Sequence, residues 1–330
     1  MPAQSIRRVT AADVARSLGL SRATVGFVLN DTPGQTIPAA TRDRVLKEAR
    51  RLGYRANSAA QALASGRSRI ILLVLPDWPL DYSMRTHLDE ASLALDEAGY
   101  SLVTMTPHPS GHAKPLWETL RPDVVIGMAP FSRDQLGEIR SSGVQQIIPP
   151  VAAGEEGSIG DLGFADGPRL QVEHLLERGR RRLAFAASGD PRLADLVAER
   201  RELAARTLSD KGLAGFVAES AVDEGTASAV LREWRGQGVN GVIAYNDDIA
   251  AIALAASLRS GIAVPDDLAI IGHDDTPLSR LLVPALTTVR VDNAGLGRYL
   301  AALALSAATG SEPPLAGPET DAKVVGRETT

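Results

Sequence analysis

Residues 10–30, TAADVARSLGLSRATVGFVLN, decide how the front of this chain folds. Thr10 offers a hydroxyl to the free amides of a starting helix, and Asp13 puts a carboxylate near that helix's positive end. Val14, Ala15 and Leu18 then fall on one helical face. Gly19 follows where the chain must turn sharply, and glycine takes a positive φ without strain. Ser21 can cap a second helix whose buried side carries Val25, Val28 and Leu29. Ala15, Gly19 and Val25 hold the fifth, ninth and fifteenth places of a twenty-residue unit starting at Ala11, the spacing of a helix-turn-helix. An ordinary αα-hairpin shares part of that pattern, so the surrounding charge has to separate the two.

Residues 1–69 carry 12 Lys and Arg against 4 Asp and Glu, whereas residues 70–330 carry 23 against 36. The overall net charge of −5 therefore hides a basic front joined to an acidic body, which predicts a polyanionic partner for the front alone. A third helix is predicted from about Pro38 to Leu52, with Arg42, Arg44, Lys47, Arg50 and Arg51 on its charged side. The next stretch, GYRANSAAQALASGRS at 53–68, offers Asn57 as a cap and Leu63 as its one large apolar side chain. A helix of about seven residues does not stand alone. It is expected to form when docked on DNA against a second copy, with Leu63 wedged into a minor-groove base step, and otherwise to be a linker.

After Arg69 the pattern changes. Apolar runs of strand character recur at 70–75, 102–105, 124–127, 146–148, 183–186, 215–218, 242–245 and 268–272, most of them separated by helical stretches such as 85–98 and 249–260. Strand–helix alternation with continuous apolarity predicts parallel sheets covered on both faces. The runs form two groups of four split around 163–178, giving two doubly wound lobes with a ligand cleft between the carboxyl ends of their strands. A helix at 300–308, a turn-rich connection at 311–318 and a short strand at 323–325 complete the chain.

The chain has no cysteine, which excludes disulfides, thiolate metal sites and a cysteine nucleophile. No run approaches the roughly 18 apolar residues of a membrane helix, and the first thirty residues lack the apolar core of an export signal. A cytoplasmic location without membrane association is therefore expected. A GxGxxG dinucleotide loop is not expected, there is no GxxxxGK[ST] and no HExxH, and His108 and His112, the one histidine pair at metal-like spacing, flank Pro109 and Gly111 in a loop. No catalytic group, metal or cofactor is assigned, and an enzyme is not expected. An exported solute receptor is disfavoured by the basic front.

The sequence resembles the LacI family of bacterial transcription regulators along essentially its whole length. The residues that carry the likeness are the helix-turn-helix above, the segment 54–66 with Asn57, Ala60, Gln61, Leu63 and Ala64, and three later stretches. These are NDDIAAIALAASLRSGIAVPDDLAIIGHDD at 246–275, LTTVRVD at 286–292 and VVGRETT at 324–330. The resemblance implies an all-α DNA-binding domain at 1–56, a hinge at 57–69 and an α/β effector domain at 70–330 like the periplasmic binding proteins. Lobe 1 would comprise about 70–166 plus 293–330, and lobe 2 about 167–292. It further implies a homodimer or tetramer on a near-palindromic operator in double-stranded DNA, acting as a repressor, with a small effector such as a sugar in the cleft.

By the same resemblance Arg22 and Ala23 face base edges, Thr24 and Asn30 lie toward the backbone or groove wall, and Thr10 and Ser21 start the two helices. Arginine can fork onto guanine, alanine offers only a methyl contact, and Phe27 either packs on a thymine methyl or joins the domain core. Tyr54, Asn57, Ala60, Leu63 and Ala64 would serve the hinge. Asn246 and Asp274 are the matching effector positions, Arg200 is favoured over Arg201 as the cleft arginine, and Asp77, Trp78 and Tyr82 would line the near wall. Each has a bland alternative: Asp274 as a turn cap, Arg200 as a solvated charge, Trp78 as lobe core. The 218–225 loop has no aromatic and Gly163 stands where an aspartate is common in the family, so the pocket departs from an ordinary sugar site.

Overall fold

The computed structural model describes residues 9–30, 32, 34–54, 66–108, 111–129, 131–148, 166–314 and 322–330. The chain forms two compact units, Met1–Arg69 and Ile70–Thr330. The hinge positions Asn57, Ala60, Leu63 and Ala64, like Gly163, lie outside the described residues.

The first unit packs three helices, α1 (Ala11–Leu18), α2 (Arg22–Leu29) and α3 (Ala39–Leu52), around Val14, Ala15, Val25, Val28, Val45 and Ala49. The start of α1 is a full capping box: the Asp13 amide donates to Thr10 Oγ1 at 3.3 Å and the Thr10 amide to the Asp13 carboxylate at 3.0 Å. Gly19 ends it at φ 66°, its amide returning to the carbonyls of Ala15 and Arg16. The Ser17 hydroxyl donates to Glu48 of α3, and Arg51 donates to the same carboxylate at 2.7 and 2.8 Å. These partners hold the Glu48 carboxyl down at about 2. Helices with so small an apolar core thus gain a polar tie that fixes α1 against α3.

In the second unit, β1 (Ile70–Val74), β2 (Ser101–Met105), β3 (Val124–Gly127) and β4 (Gln146–Ile148) form a parallel sheet of order β2-β1-β3-β4. Alternate residues of β1 serve its two faces. Ile71 and Leu73 pack under α4 (Tyr82–Glu97) and α12 (Asn293–Thr309); Leu72 and Val74 meet Trp117 of α5 (Leu116–Leu120) and Leu136 and Ile139 of α6 (Arg133–Ser141). The approach of α12 to α4 needs Gly297, because a Cβ there would sit 2.4 Å from the His87 carbonyl oxygen.

In the second sheet β5 (Leu183–Ala187), β6 (Ala218–Ala221), β7 (Gly241–Ala244), β8 (Ala269–His273) and β9 (Thr287–Arg290) are parallel, and with β10 (Lys323–Val325) at its edge the order is β10-β9-β8-β7-β5-β6. Helices α7 (Asp166–Glu177), α8 (Ala194–Asp210), α9 (Ala227–Gly236), α10 (Asp247–Arg259) and the short α11 (Leu278–Leu281) accompany it. Its core runs through Phe185, Leu208, Leu231, Trp234, Ile243 and Ile271.

Four features differ from the sequence reading. The strand β10 (Lys323–Val325), assigned to lobe 1 by position, pairs antiparallel with β9 and so belongs to the second sheet. The segment 287–290, absent from the expected strands, is β9; its Thr287 and Thr288 are fully buried, their hydroxyls engaged by the Arg327 and Asp275 amides and by Asp247. β6 starts three residues after the expected 215, since Gly215 takes φ 117° and the sheet pairing begins only at Ala218. Helix α12 starts at Asn293 rather than 300, capped by the Asp292 carboxylate on the Gly295 amide at 2.8 Å.

Candidate functional site

Two surfaces of the chain are organised for binding, one in each unit. In the first, Ser21 fixes the start of α2 by accepting the Thr24 amide at 3.0 Å. Arg22 and Ala23 are exposed, as are Thr10, Ser21 and Asn30, while Thr24 is half-buried. Phe27 is half-buried and outside the apolar cluster that holds the three helices, so of its two expected roles the core one is not realised. Ala23 and Phe27, four apart, therefore share a face of α2 beside Arg22. Tyr54 packs back onto the cluster, its amide donating to the Ala49 carbonyl at 2.8 Å.

In the second unit a cavity of about 190 Å³ lies beyond the carboxyl ends of β7 and β8, lined by Asp81, Tyr82, Ser83, Asn246, Asp248, Asp274, Thr276, Pro277 and Leu278. Doubly wound sheets place ligands at such ends because strand termini and helix starts converge there. Asp274 is the pivot. It follows β8 at φ 103°, and Asp275 follows at φ 47°, two left-handed residues that are not glycine. Such conformations cost of order 1–3 kcal/mol each and persist only when the surroundings enforce them. The enforcement is visible: the Asp274 amide donates to the Val289 carbonyl at 2.7 Å, and the Asp275 side chain, 2% exposed, is gripped by Arg290 and Arg327. Those two guanidiniums outweigh burial and hold the Asp275 carboxyl below its usual range.

The Asp274 carboxylate is buried, which alone would favour its neutral form; Arg200, His273 and the Ser83 hydroxyl reverse this and bring it to about 2. His273 Nδ1 sits 2.7 Å from Asp274 Oδ1. With Asp274 ionised, Nδ1 carries the proton, and burial keeps the imidazole neutral. Arg200 Nη2 stands 3.5 Å from the same oxygen, and its Nη1 donates to the Tyr245 carbonyl at 2.6 Å. Arg201, its neighbour, turns outward to Glu219, so Arg200 is the cleft arginine. Ser83, at the start of α4, bonds Asp274 and also accepts from Asn293 Nδ2 at 3.1 Å, which links the first sheet's helices to the second sheet's strand end.

Asn246 caps α10 by accepting the Ile249 amide at 3.0 Å. Its acceptor is thereby used, and among the described residues its NH₂ group donates to no protein atom. The adjacent Asp247, fully buried, receives the Thr276 amide at 2.7 Å and the Thr288 hydroxyl at 2.5 Å; burial still pushes its carboxyl up to about 7. Gln171 of α7 donates to the Ala244 and Gly272 carbonyls, both at 2.9 Å, and so ties the ends of β7 and β8.

Tyr82, Asn246 and Asp274 are thus brought together, with Arg200 behind Asp274. Asp77 and Trp78 do not line the cavity; the chain turns at Pro79, whose carbonyl accepts the Asp81 amide at 3.0 Å, and Asp81, not Asp77, reaches the start of α4. Sequence reasoning missed Asp81, Ser83, Asp248 and Thr276. The cap signal at Asp81, three residues before Met84 in α4, was the one local clue, since its carboxylate accepts the Met84 amide at 2.8 Å. One Gly-x-Gly-x-x-Gly spacing, at 236–241, runs from α9 into β7; a dinucleotide loop needs the opposite order, strand before helix. Among the described residues no three His, Asp or Glu side chains gather as a metal site, and no helix is long and apolar enough to cross a membrane.

A three-helix module with a capped, outward-facing second helix, on one chain with a two-sheet small-molecule receptor, is the composition of a DNA-binding regulator. Residues 10–57 match the model of bacterial regulatory proteins of the lacI family, and residues 172–330 that of the periplasmic binding protein-like domain. The chain is 32% identical over 315 residues to the HTH-type transcriptional regulator GalS of Salmonella typhimurium, covering 92% of this chain and 91% of that one. It is 29% identical over 316 residues to the HTH-type transcriptional regulator GntR of Pseudomonas aeruginosa, with the same coverage. Among solved structures, the Lac repressor dimer bound to operator and the anti-inducer ONPF superposes with a TM-score of 0.78 at 24% identity, over 98% of this chain and 99% of that one. The chain belongs to the lacI family of bacterial regulatory proteins and is a DNA-binding transcriptional regulator.

Proposed function

We propose that the protein is a cytoplasmic repressor that binds a near-palindromic operator as a dimer and is controlled by a small effector in the cleft between its lobes. The observation that carries the effector reading is the Asn293–Ser83–Asp274–Arg200 chain, in which one buried carboxylate collects groups from both lobes. A ligand hydroxyl that takes the place of Ser83 on Asp274 would change how firmly the lobes are joined. The Lac repressor dimer carries operator and ONPF together, and the CelR regulator carries cellobiose; both support a ligand-and-DNA reading here.

In this reading residues 1–56 bind DNA, 57–69 act as the hinge and 70–330 receive the effector. Arg22, Ala23 and Phe27 address base edges, while Thr10, Ser21, Thr24 and Asn30 flank the backbone. Tyr54, Asn57, Ala60, Leu63 and Ala64 serve the hinge. Tyr82, Arg200, Asn246 and Asp274, joined by Asp81 and Ser83, form the effector site. Lobe closure by the ligand changes the spacing of the two hinges in the dimer, with a coupling of roughly 1–3 kcal/mol, or about 5- to 150-fold in operator affinity.

Footprinting of the DNA upstream of the protein's own gene, with and without sugars, nucleosides and related metabolites, tests this. A protected near-palindrome whose protection changes with one metabolite is the expected result. Uniform, salt-sensitive binding to every fragment overturns it.

A further inference from the structure

The composition of the cavity wall narrows the ligand's chemistry. Three carboxylates, Asp81, Asp248 and Asp274, face about 190 Å³, and among the described residues no lysine or arginine lines it. Arg200 stands behind Asp274 and is committed to that carboxylate at 3.5 Å and to the Tyr245 carbonyl at 2.6 Å, so it offsets one negative charge of the three. Asp81 is stabilised by the Met84 amide and Asp248 by its place in the first turn of α10, but neither has a cationic side chain within ion-pair distance among the described residues. Desolvation at the cavity wall, and after it the field of Asp274, raise both carboxyls above their usual range, although Asp248 keeps an exposed side chain. The remaining polar groups are donors or hydroxyls: the Asn246 NH₂, Ser83, Tyr82 and Thr276.

We infer that the effector is a small hydroxylated molecule bearing a protonated amine, its ammonium held by Asp81 and Asp248 and its hydroxyls by Asp274, Asn246 and Thr276. The inference rests on the effector reading above and specifies its ligand class. An ammonium supplies three donors to carboxylates that lack a cation, and charge-assisted hydrogen bonds of this kind are about twice as strong as neutral ones. A phosphate or carboxylate on the ligand would meet two carboxylates without a cation and a third offset by Arg200. The volume, below the roughly 300–1,000 Å³ of drug-sized pockets, fits a skeleton of monosaccharide size.

The test uses the full-length protein and three matched sets: glucosamine, galactosamine and mannosamine, the parent hexoses, and the hexose 6-phosphates. Thermal stabilisation is measured first, then calorimetric affinity, for the protein and its Asp248→Asn and Asp81→Asn variants. Asparagine caps a helix as well as aspartate does, which keeps the second variant folded. Binding of at least one amino sugar in preference to its parent and its phosphate, weakened about tenfold or more in either variant, supports the inference. Equal or tighter binding of the neutral or phosphorylated sugar overturns the ligand class and leaves the effector reading standing. Amino-sugar binding unaffected by both variants overturns the assignment to Asp81 and Asp248. Silence from every sugar overturns the inference; the effector reading falls only if the metabolite panel also leaves operator protection unchanged.

Discussion

Arg200 Nη2 lies 3.5 Å from Asp274 Oδ1, and this pair, 18% and 6% exposed in its side chains, sits where two lobes of one receptor meet. Removing one member of a buried ion pair leaves the other charge uncompensated, at a cost of about 3–5 kcal/mol when burial is complete. Arg200 keeps some solvent access and Asp274 keeps His273, so Arg200→Gln is expected to lower stability by about 2–3 kcal/mol, read by urea unfolding. The same variant loses its response to effector in operator binding. Unchanged stability with intact response would show that the pair is incidental.

Asp247 makes stability depend on pH. Its carboxyl ionises near the usual 3.8 in the unfolded chain and at about 7 when folded, so between these values the folded state holds the extra proton. Stability from this group therefore falls as pH rises from about 4 to about 7, by at most about 4 kcal/mol. In Asp247→Asn the amide oxygen accepts from the Thr276 amide and the NH₂ donates to the Thr288 hydroxyl. That variant should match the parent protein near pH 4 and exceed it at pH 8. Asp274, held at about 2, acts in the opposite sense: its contribution is present above about 4 and is lost as pH falls toward 2. Chemical unfolding across pH 3–8 separates the two.

Phe27 shares a face of α2 with Ala23 and lies outside the three-helix core. Apolar contact with a thymine methyl is then its expected role. Phe27→Ala should weaken operator binding about tenfold with little loss of folding stability, and replacing thymine by deoxyuridine at the contacted position should weaken the parent protein but not the variant. Arg22→Ala should cost about 1–3 kcal/mol at a guanine and relax the choice of base there. Gel shifts on substituted operators read both.

Leu281 is 77% exposed and Val283 85%, an apolar pair at the end of α11 that is unusual on the surface of an isolated chain. If the active species is a dimer that covers them, Leu281→Asp combined with Val283→Asp should shift the protein to monomer in sedimentation equilibrium and abolish specific operator binding. A dimer that survives both changes would place its interface elsewhere.

What the sequence revealed depended on how local the signal was. The helix-turn-helix was legible because its determinants, Thr10, Gly19 and Ser21, act within a turn of themselves. The parallel strands were legible because burial on both faces leaves continuous apolar runs. β9 was hidden because Thr287 and Thr288 are buried through hydroxyl partners on distant segments, Asp247 and Arg327 among them. β10 was given to the wrong lobe because pairing across the sheet, not order in the chain, decides membership. Of the residues lining the cavity, Asn246 and Asp274 were named by resemblance, whereas Ser83 and Thr276 join its wall only because separate loops meet there.

The pairing of β10 with β9 extends to residues beyond it: the Ile270 amide donates to the Thr329 carbonyl at 2.8 Å, and Thr329 Oγ1 donates to the Ile270 carbonyl at 2.7 Å while accepting the Thr287 amide at 2.9 Å. A fully buried threonine some sixty positions downstream of its partner is thus a keystone of the receptor's second sheet. During synthesis the basic helical module, built from short-range contacts, can fold as soon as it leaves the ribosome. The receptor must wait for its final stretch to be translated. A nascent chain would in this way shape the helices that read DNA before the receptor that pairs and governs them exists.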